Sequence, residues 1–504
     1  DYGVINKLFQ TMVLNNSWDP KMALRYFDYL CFLSWEYEAI IVRDLLLDNH
    51  ISLAGEFCLE TELVKDGLSY FRDDAIWRGK DYDSDTIPAS MSEWAIYYDE
   101  QDQRFHKVKP SMIENIIVKV IDAEKGIYNT SVYAYTLKKP DGVAQAVSDA
   151  IMNLGNAGRG AYDASLHSMR MAYETRELLN ELFNGEGPEQ IAFMSNATEA
   201  LNTAINGMIQ SGDHVVTTVM EHNSVLRPLY LKEQTGVALT VLPLDENGLI
   251  SSEAFEEAIR PDTEAIVCTH ASNVTGTALN LYRIGEVCKR HGLHFIVDAS
   301  QSAGILPIDM QAMNIDALCF TGHKGLFGPQ GTGGICLRKG ITIRPLKVGG
   351  SGIHSFDKEQ PQFMPELLEA GTINAQGIAG LNASLKYLKK EGLEKLYTKE
   401  ALLTKTFYEG VRRIEGVRVY GNFDQEKRAP VVSLNIRDED AGKVSEILWE
   451  DYGIATRAGA HCAPLMHEAL ETTEQGVVRF SFSSFNTIEE IKQGIEAIRE
   501  LASE

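Results

Sequence analysis

The chain has 504 residues, 44% of them apolar and 23% charged, with a formal net charge of −24. This length predicts two or three packed units with substantial cores, and the composition is that of a globular protein rather than a disordered or fibrous one. The charge makes nucleic acid a poor partner, and the lack of a long apolar run or a signal-peptide layout points to a cytoplasmic chain that does not cross a membrane.

The seven cysteines are odd in number and include no CxxC pair. That argues against a disulfide framework or a zinc cluster, so no metal is expected, and it leaves room for one reactive thiol.

Asp19-Pro20 reads as a helix start, and the apolar-rich run from Met22 to Leu47 predicts one or two helices. Trp94 to Tyr98 and Phe105 to Val108 predict strands around a polar turn. No motif with chemical meaning lies between Asp1 and Lys125, so residues 1–125 are expected to form a mixed, partly helical accessory region.

After Gly126 helices alternate with short apolar strands. Ser165 is expected to cap a helix running through Leu182, while Ile191 to Met194, His214 to Thr217, Ala265 to Cys268 and Phe295 to Val297 predict buried strands. This alternation predicts an α/β architecture over 126–378 with a mainly parallel sheet, covered on both faces, that takes ligands at its strand carboxyl ends. Residues 379–504, with long amphipathic helices and strands at Val431 to Asn435 and Val477 to Phe482, predict a smaller α+β domain.

The most informative segment runs from Phe320 to Gly334, where Lys324 sits among small residues directly after a buried-looking strand. A surface lysine is the plain alternative. A lysine that carries pyridoxal phosphate (PLP) must lie in a pocket at a strand end. Upstream, Asp298 follows the strand Phe295 to Val297, where its carboxylate could pair with a pyridine nitrogen or simply cap a helix. Gln301 is three residues on, within reach of the ring oxygen. Met194 to Ala200 opens another helix, whose free N–H groups and Thr198 hydroxyl could hold a phosphate, although capping explains Ser195 or Asn196 equally well. His222 follows a further strand, where its ring could stack on a pyridine.

With Asn273 in Ser-Asn-Val-Thr-Gly-Thr and the run Glu369 to Asn374, these segments resemble the cysteine desulfurases of the class V aminotransferase group, from about Gly126 to the C-terminus. The resemblance implies the PLP fold-type I architecture and a cofactor pocket of Thr198, His222, Asp298, Gln301, Thr321, His323 and Lys324. Within it, Thr198 and His323 would contact the phosphate, His222 would stack on the ring, and Lys324 would hold the cofactor covalently. Thr372 would reach the phosphate of a neighbouring subunit, which implies a homodimer.

The segment Ala455 to Pro464 resembles the short-loop, group II members, whose Arg-x-Gly-x-His-Cys-Ala run carries the sulfur-accepting cysteine, here Cys462. Pro464 as a first helical residue would place Cys462 near a positive helix end, with Arg457 and His461 close by, surroundings that favour a thiolate. Strand alternation turns Arg479 away from the apolar side of Val477 to Phe482. It matches the family's carboxylate-gripping arginine, with a solvated edge charge as the alternative. Asn273, Arg457 and Arg479 would then meet the substrate. The resemblance implies conversion of L-cysteine to L-alanine, with Lys324 moving the Cα proton and Cys462 taking the sulfur as a persulfide. It also implies delivery to a sulfur-acceptor protein within sulfur metabolism and iron–sulfur cluster assembly.

One segment departs from the family pattern: Thr130 to Thr136 carries Val132 and Tyr133 where small residues are usual beside the substrate. A selenocysteine lyase or other β-lyase, and a degenerate binding scaffold, therefore stand as alternatives.

Overall fold

The computed structural model describes residues 138–155 and 162–503, together with three strand backbones earlier in the chain. The helical run expected from Met22 to Leu47 and the segment Thr130 to Thr136 lie outside the described residues. By contacts the chain divides into two units, Asp1–Ile127 and Tyr128–Glu504. In the first, β1 (Leu68–Ser69), β2 (Ala95–Asp99) and β3 (Arg104–Val108) form an antiparallel meander, with Ala95 opposite Val108 and Asp99 opposite Arg104. The expected strand pair is present, shifted by one residue at each start.

The second unit begins with α1 (Val143–Asn153) and α2 (Asp163–Phe183), then alternates β4 (Ile191–Met194), α3 (Ala197–Met208), β5 (His214–Thr218), α4 (Asn223–Glu233) and β6 (Ala238–Leu242). It continues through α5 (Ser252–Glu257), β7 (Thr263–Thr269), α6 (Leu281–His291), β8 (His294–Asp298), β9 (Ala317–Thr321) and β10 (Gly333–Leu337). These strands form one sheet in the order β4-β10-β9-β8-β7-β5-β6, in which β6, β5, β7, β8 and β9 pair in parallel and β10 runs antiparallel to both neighbours.

Burial on both faces explains why these strands are continuous apolar runs rather than alternating ones. Along β7, Ile266 and Cys268 enter one core with Leu179, Ile284 and Leu381, while Ala265 and Val267 enter the other with Leu201, Ile205 and Leu229. Helices therefore cover both faces, as the alternation predicted. Ser165 does not cap α2. The helix starts two residues earlier, where the Asp163 carboxylate favours a positive helix end, and Ser165 is buried inside the first turn.

The 378/379 boundary falls inside α7 (Ala375–Glu391), whose Ile378, Leu381, Leu385 and Leu388 pack into the core of the large sheet. The change to the smaller sheet comes at the Gly392 break before α8 (Leu393–Val411). That part continues with β11 (Val417–Tyr420), β12 (Val431–Ile436), α9 (Ala441–Glu450), β13 (Arg457–Gly459), α10 (Pro464–Ala469), β14 (Val477–Ser481) and α11 (Ile488–Ser503). Its sheet, ordered β11-β12-β14-β13, is antiparallel throughout and shares a core with Phe407, Leu448 and Ile498 of its helices.

A buried ion pair staples α2 to the start of the large sheet. Arg176 Nη2 lies 2.8 Å from both Glu369 oxygens, its Nε donates to Ile191 O at 3.0 Å, and Phe193 N–H donates to Glu369 Oε1 at 2.7 Å. Both side chains are only 10% exposed. Removing one partner strands a buried charge, so Glu369→Ala should lower stability by about 3 kcal/mol. Urea unfolding of the two proteins checks this.

Candidate functional site

Five parallel-running strands of the large sheet, β4, β5, β7, β8 and β9, send their carboxyl ends to one edge, and the loops that follow them carry the candidate residues. Because β10 is antiparallel, its first residue, Gly333, sits beside the last residues of β4 and β9, Met194 and Thr321.

At the end of β4, Asn196 caps α3 by accepting from Glu199 N–H at 3.0 Å. The first-turn N–H groups of Ala197 and Thr198 have no intrahelical acceptor, which makes this turn able to receive an anion. The Thr198 hydroxyl is 2.8 Å from Ser224 Oγ, which is 2.9 Å from His222 Nδ1. Ser224 N–H also donates to Nδ1 at 3.0 Å, so the proton of the neutral His222 ring is on Nε2. Burial chiefly holds His222 below the usual histidine range, against the pull of Asp298.

Asp298 ends β8, and its Oδ1 accepts from Ser300 N–H at 2.9 Å and Ser300 Oγ at 2.5 Å. Gln301 is buried, and its amide has no hydrogen-bond partner among the described residues. Behind this carboxylate lies Glu221, fully buried, whose Oε1 accepts from Thr218 Oγ1 at 2.6 Å and Thr269 N–H at 3.1 Å while Oε2 is unpartnered. Burial pushes its carboxyl up to about 8, with Asp298 adding to the effect.

Lys324 lies three residues beyond β9. Its loop approaches the Asp298 turn so closely that a Cβ on Gly304 would come within 2.3 Å of Gly325 O, and Gly304 itself has φ +79°. Burial lowers the Lys324 ammonium to about 8; Asp298 opposes this, and Arg479 and Arg457 reinforce it. Beside it, His323 Nδ1 is 2.9 Å from Thr321 Oγ1, and burial with the Lys324 and Lys139 charges drives His323 down to about 4. Lys139 donates to His323 O at 2.7 Å and is itself lowered by burial to about 8.

The small sheet supplies the opposite side. Arg479 is no solvated edge charge: β14 lies between β12 and β13, all five of its residues are buried, and Arg479 Nη1 donates to Asn273 O at 2.9 Å. Arg457 stands directly opposite Arg479 in the β13–β14 pair, which puts both guanidiniums on one face. Asn273 Nδ2 donates to His461 O at 2.7 Å, leaving its buried Oδ1 unpartnered. Cys462 is exposed, its carbonyl accepts from Asn223 N–H at 2.7 Å, and Pro464 opens α10 as expected. His461, by contrast, lends Cys462 no positive charge, because burial and then Arg479 lower it to about 3.

The electrostatic partners of Lys324 thus include Asp298, Arg479, Arg457 and Cys462. Thr372 is not part of this group. It is exposed and lines a separate cavity of about 190 Å³ with Ser195, Glu199 and Lys347. Glu221, Ser224, Ser300 and Lys139 were missed by sequence reasoning. Glu221 and Ser224 flank His222, and Lys139 precedes Pro140, so adjacency to the recognised motifs was the available signal.

The family described as Aminotransferase class-V matches residues 130–493. A probable cysteine desulfurase of Methanothermobacter thermautotrophicus is 34% identical over 377 residues, covering 73% of this chain and 93% of that protein. One from Pyrococcus abyssi is 32% identical, covering 72% and 91%. Among solved structures, the apo cysteine desulfurase of Thermococcus onnurineus NA1 superposes with a TM-score of 0.69 at 31% identity, covering 73% of this chain and 93% of that one. The cysteine desulfurase CsdA of Escherichia coli, in an S-sulfonic acid form, gives 0.68 at 27% identity, covering 76% and 95%.

Glu221 makes stability depend on pH. The folded protein keeps its proton up to about 8, whereas the unfolded chain loses it near the ordinary value of 4.5. Its contribution is therefore complete below the lower value and falls as pH rises towards the upper one, by at most about 1.4 kcal/mol per pH unit. Glu221→Gln, which keeps the Oε1 acceptor, should flatten the pH dependence of the unfolding midpoint across this window.

Proposed function

Because this chain belongs to the aminotransferase class-V family, we propose that it is a PLP-dependent cysteine desulfurase that converts L-cysteine to L-alanine and receives the sulfur on Cys462. The observation that carries this assignment is that Cys462 is exposed, the other four described cysteines are buried, and the exposed thiol is an electrostatic neighbour of Lys324.

The residues fit the cofactor. The open first turn of α3 and the Thr198 hydroxyl suit a phosphate, His222 presents a neutral ring, Gln301 has an uncommitted amide, and Asp298 is fixed by Ser300. Thr321 orients His323 at the same end. When bound, PLP supplies an electron sink conjugated to the substrate Cα.

The chain's own groups do the rest. Asp298 holds the ring nitrogen. Arg479 grips the substrate carboxylate with Arg457 beside it, and the unpartnered Oδ1 of Asn273 accepts from a bound ligand. Lys324, lowered to about 8, exists partly as the free amine near neutral pH and takes the Cα proton. The Cys462 thiolate attacks the substrate sulfur, the Cβ–S bond breaks, Cβ gains a proton, and Lys324 returns the proton it took to Cα. L-cysteine and the Cys462 thiol yield L-alanine and a Cys462 persulfide, so atoms and electrons balance with no outside oxidant or reductant.

The wider assignments rest on the same chemistry. Exposed Thr372, apart from the Lys324 group, suits a residue that serves a second copy's phosphate in a homodimer. A persulfide requires an acceptor, which we assign to a partner protein in iron–sulfur cluster assembly, with the Asp1–Ile127 unit, outside the matched residues 130–493, as its docking module. Five free thiols among the described residues suit a reducing, cytoplasmic setting.

Borohydride treatment of the purified protein should place the pyridoxyl label on the Lys324 peptide. Cys462→Ser should keep PLP but make no alanine from cysteine in the absence of reductant; wild-type alanine formation by this variant would instead mark a β-lyase. Arg479→Lys loses the two-pronged grip and should raise the KM for cysteine about tenfold or more, with cofactor content unchanged.

A further inference from the structure

We infer that a two-point hydrogen-bond clamp from the large sheet, Asn273 Nδ2 to His461 O and Asn223 N–H to Cys462 O, docks the Cys462 loop for sulfur transfer. The inference rests on the assignment of Cys462 as sulfur acceptor and says how that thiol is positioned.

His461 and Cys462 are consecutive residues with φ of +51° and +56°. Side chains with a Cβ avoid this left-handed region, and such backbone persists only where its surroundings hold it. Here each strained residue gives its carbonyl to a different loop of the large sheet. The donor to His461 follows β7 and the donor to Cys462 follows β5.

Neither donor is isolated from the rest of the site. Asn223 is the first residue of α4, directly after its cap His222, so the contact that fixes Cys462 is one peptide from the ring-facing histidine. Asn273 gives its own carbonyl to Arg479 Nη1. The thiol is thereby referenced both to the cofactor ring and to the carboxylate grip, although Cys462 itself belongs to the small-sheet segment. A strained turn joined to the large sheet, among the described residues, by these two hydrogen bonds is also one that can part from that sheet once they break, as delivery of the sulfur to an acceptor requires.

Asn223 permits a narrow test. Position N1 of a helix favours proline, and His222, at φ −73° and ψ 154°, has the extended backbone that proline requires of its predecessor. Asn223→Pro therefore deletes the N–H donor and retains the helix start, while Asn223→Ala deletes the side chain and retains the donor. In cofactor-free protein, iodoacetamide should alkylate Cys462 about fivefold faster in the proline variant than in the alanine variant, the size of one net hydrogen bond.

Loaded with PLP, the proline variant should show a kcat for alanine formation about tenfold below that of the alanine variant, with KM for cysteine within about twofold, as expected when one positioning contact is lost. Equal alkylation rates in the two variants, or loss of PLP from the proline variant, would overturn the clamp. If the proline variant does not fold, Asn273→Asp, which removes the Nδ2 donor, must produce the same faster alkylation or the proposal fails. Cys462→Ser assayed alongside tests the acceptor assignment separately, because the alkylation comparison needs neither cofactor nor turnover.

Discussion

Burial of the Lys324 ammonium is the constraint on which the site depends. A lysine that must give up its proton near neutral pH has to lose much of its hydration without gaining a carboxylate partner that would keep it charged. The convergence of strand ends supplies the burial, and the Gly304–Gly325 approach holds the Lys324 loop against the turn that follows Asp298. Asp298 is near enough to moderate the shift, yet its Oδ1 is committed to Ser300, while Arg479 and Arg457 push the other way. The ammonium settles at about 8, between a fixed charge and an inaccessible base.

The same desolvation fixes the sign of the pocket. His222, His323 and His461 are all lowered by burial, and Glu221 keeps its proton up to about 8. Among the described residues, the charged groups that act on these side chains include Lys324, Lys139, Arg227, Arg457 and Arg479 against Asp298. A chain with a net charge of −24 thus presents a cationic site to a phosphate and a carboxylate, and only burial at the strand ends allows the two signs to coexist.

Much of the cofactor side was legible in the sequence because Thr198, His222, Asp298 and Lys324 each follow a buried strand. β4, β5, β7 and β8 are apolar runs long enough to read directly, and Thr198, His222, Asp298 and Lys324 come within a few residues of strand ends. Contacts made by the main chain were not legible. Asn223 acts through an N–H that every residue except proline carries, and Lys139 through a bond to the His323 carbonyl. The error over His461 has a related cause: nearness in sequence suggested a cation beside Cys462, but the charge of an imidazole depends on its burial, which the one-dimensional pattern does not give. The amphipathic pattern that marks the smaller unit from 379 onward begins inside a helix, because α7 runs through 378/379 with its apolar side in the large core.

The two sheets divide the work in a way that follows from their geometry. A parallel sheet gathers loops at one edge, which suits a cofactor that needs contacts at its phosphate, ring and reactive carbon from separate strands. An antiparallel pair instead sets residues side by side, and β13–β14 uses this to place Arg457 against Arg479. Cys462 comes five residues after Arg457, so a short loop carries the thiol from the Arg457–Arg479 pair towards the large-sheet edge. A thiol mounted on the cofactor sheet would share the rigidity of a core covered on both faces. Mounted on the small sheet and tied across by Asn223 and Asn273, it can be held as firmly as two hydrogen bonds allow and released when they break.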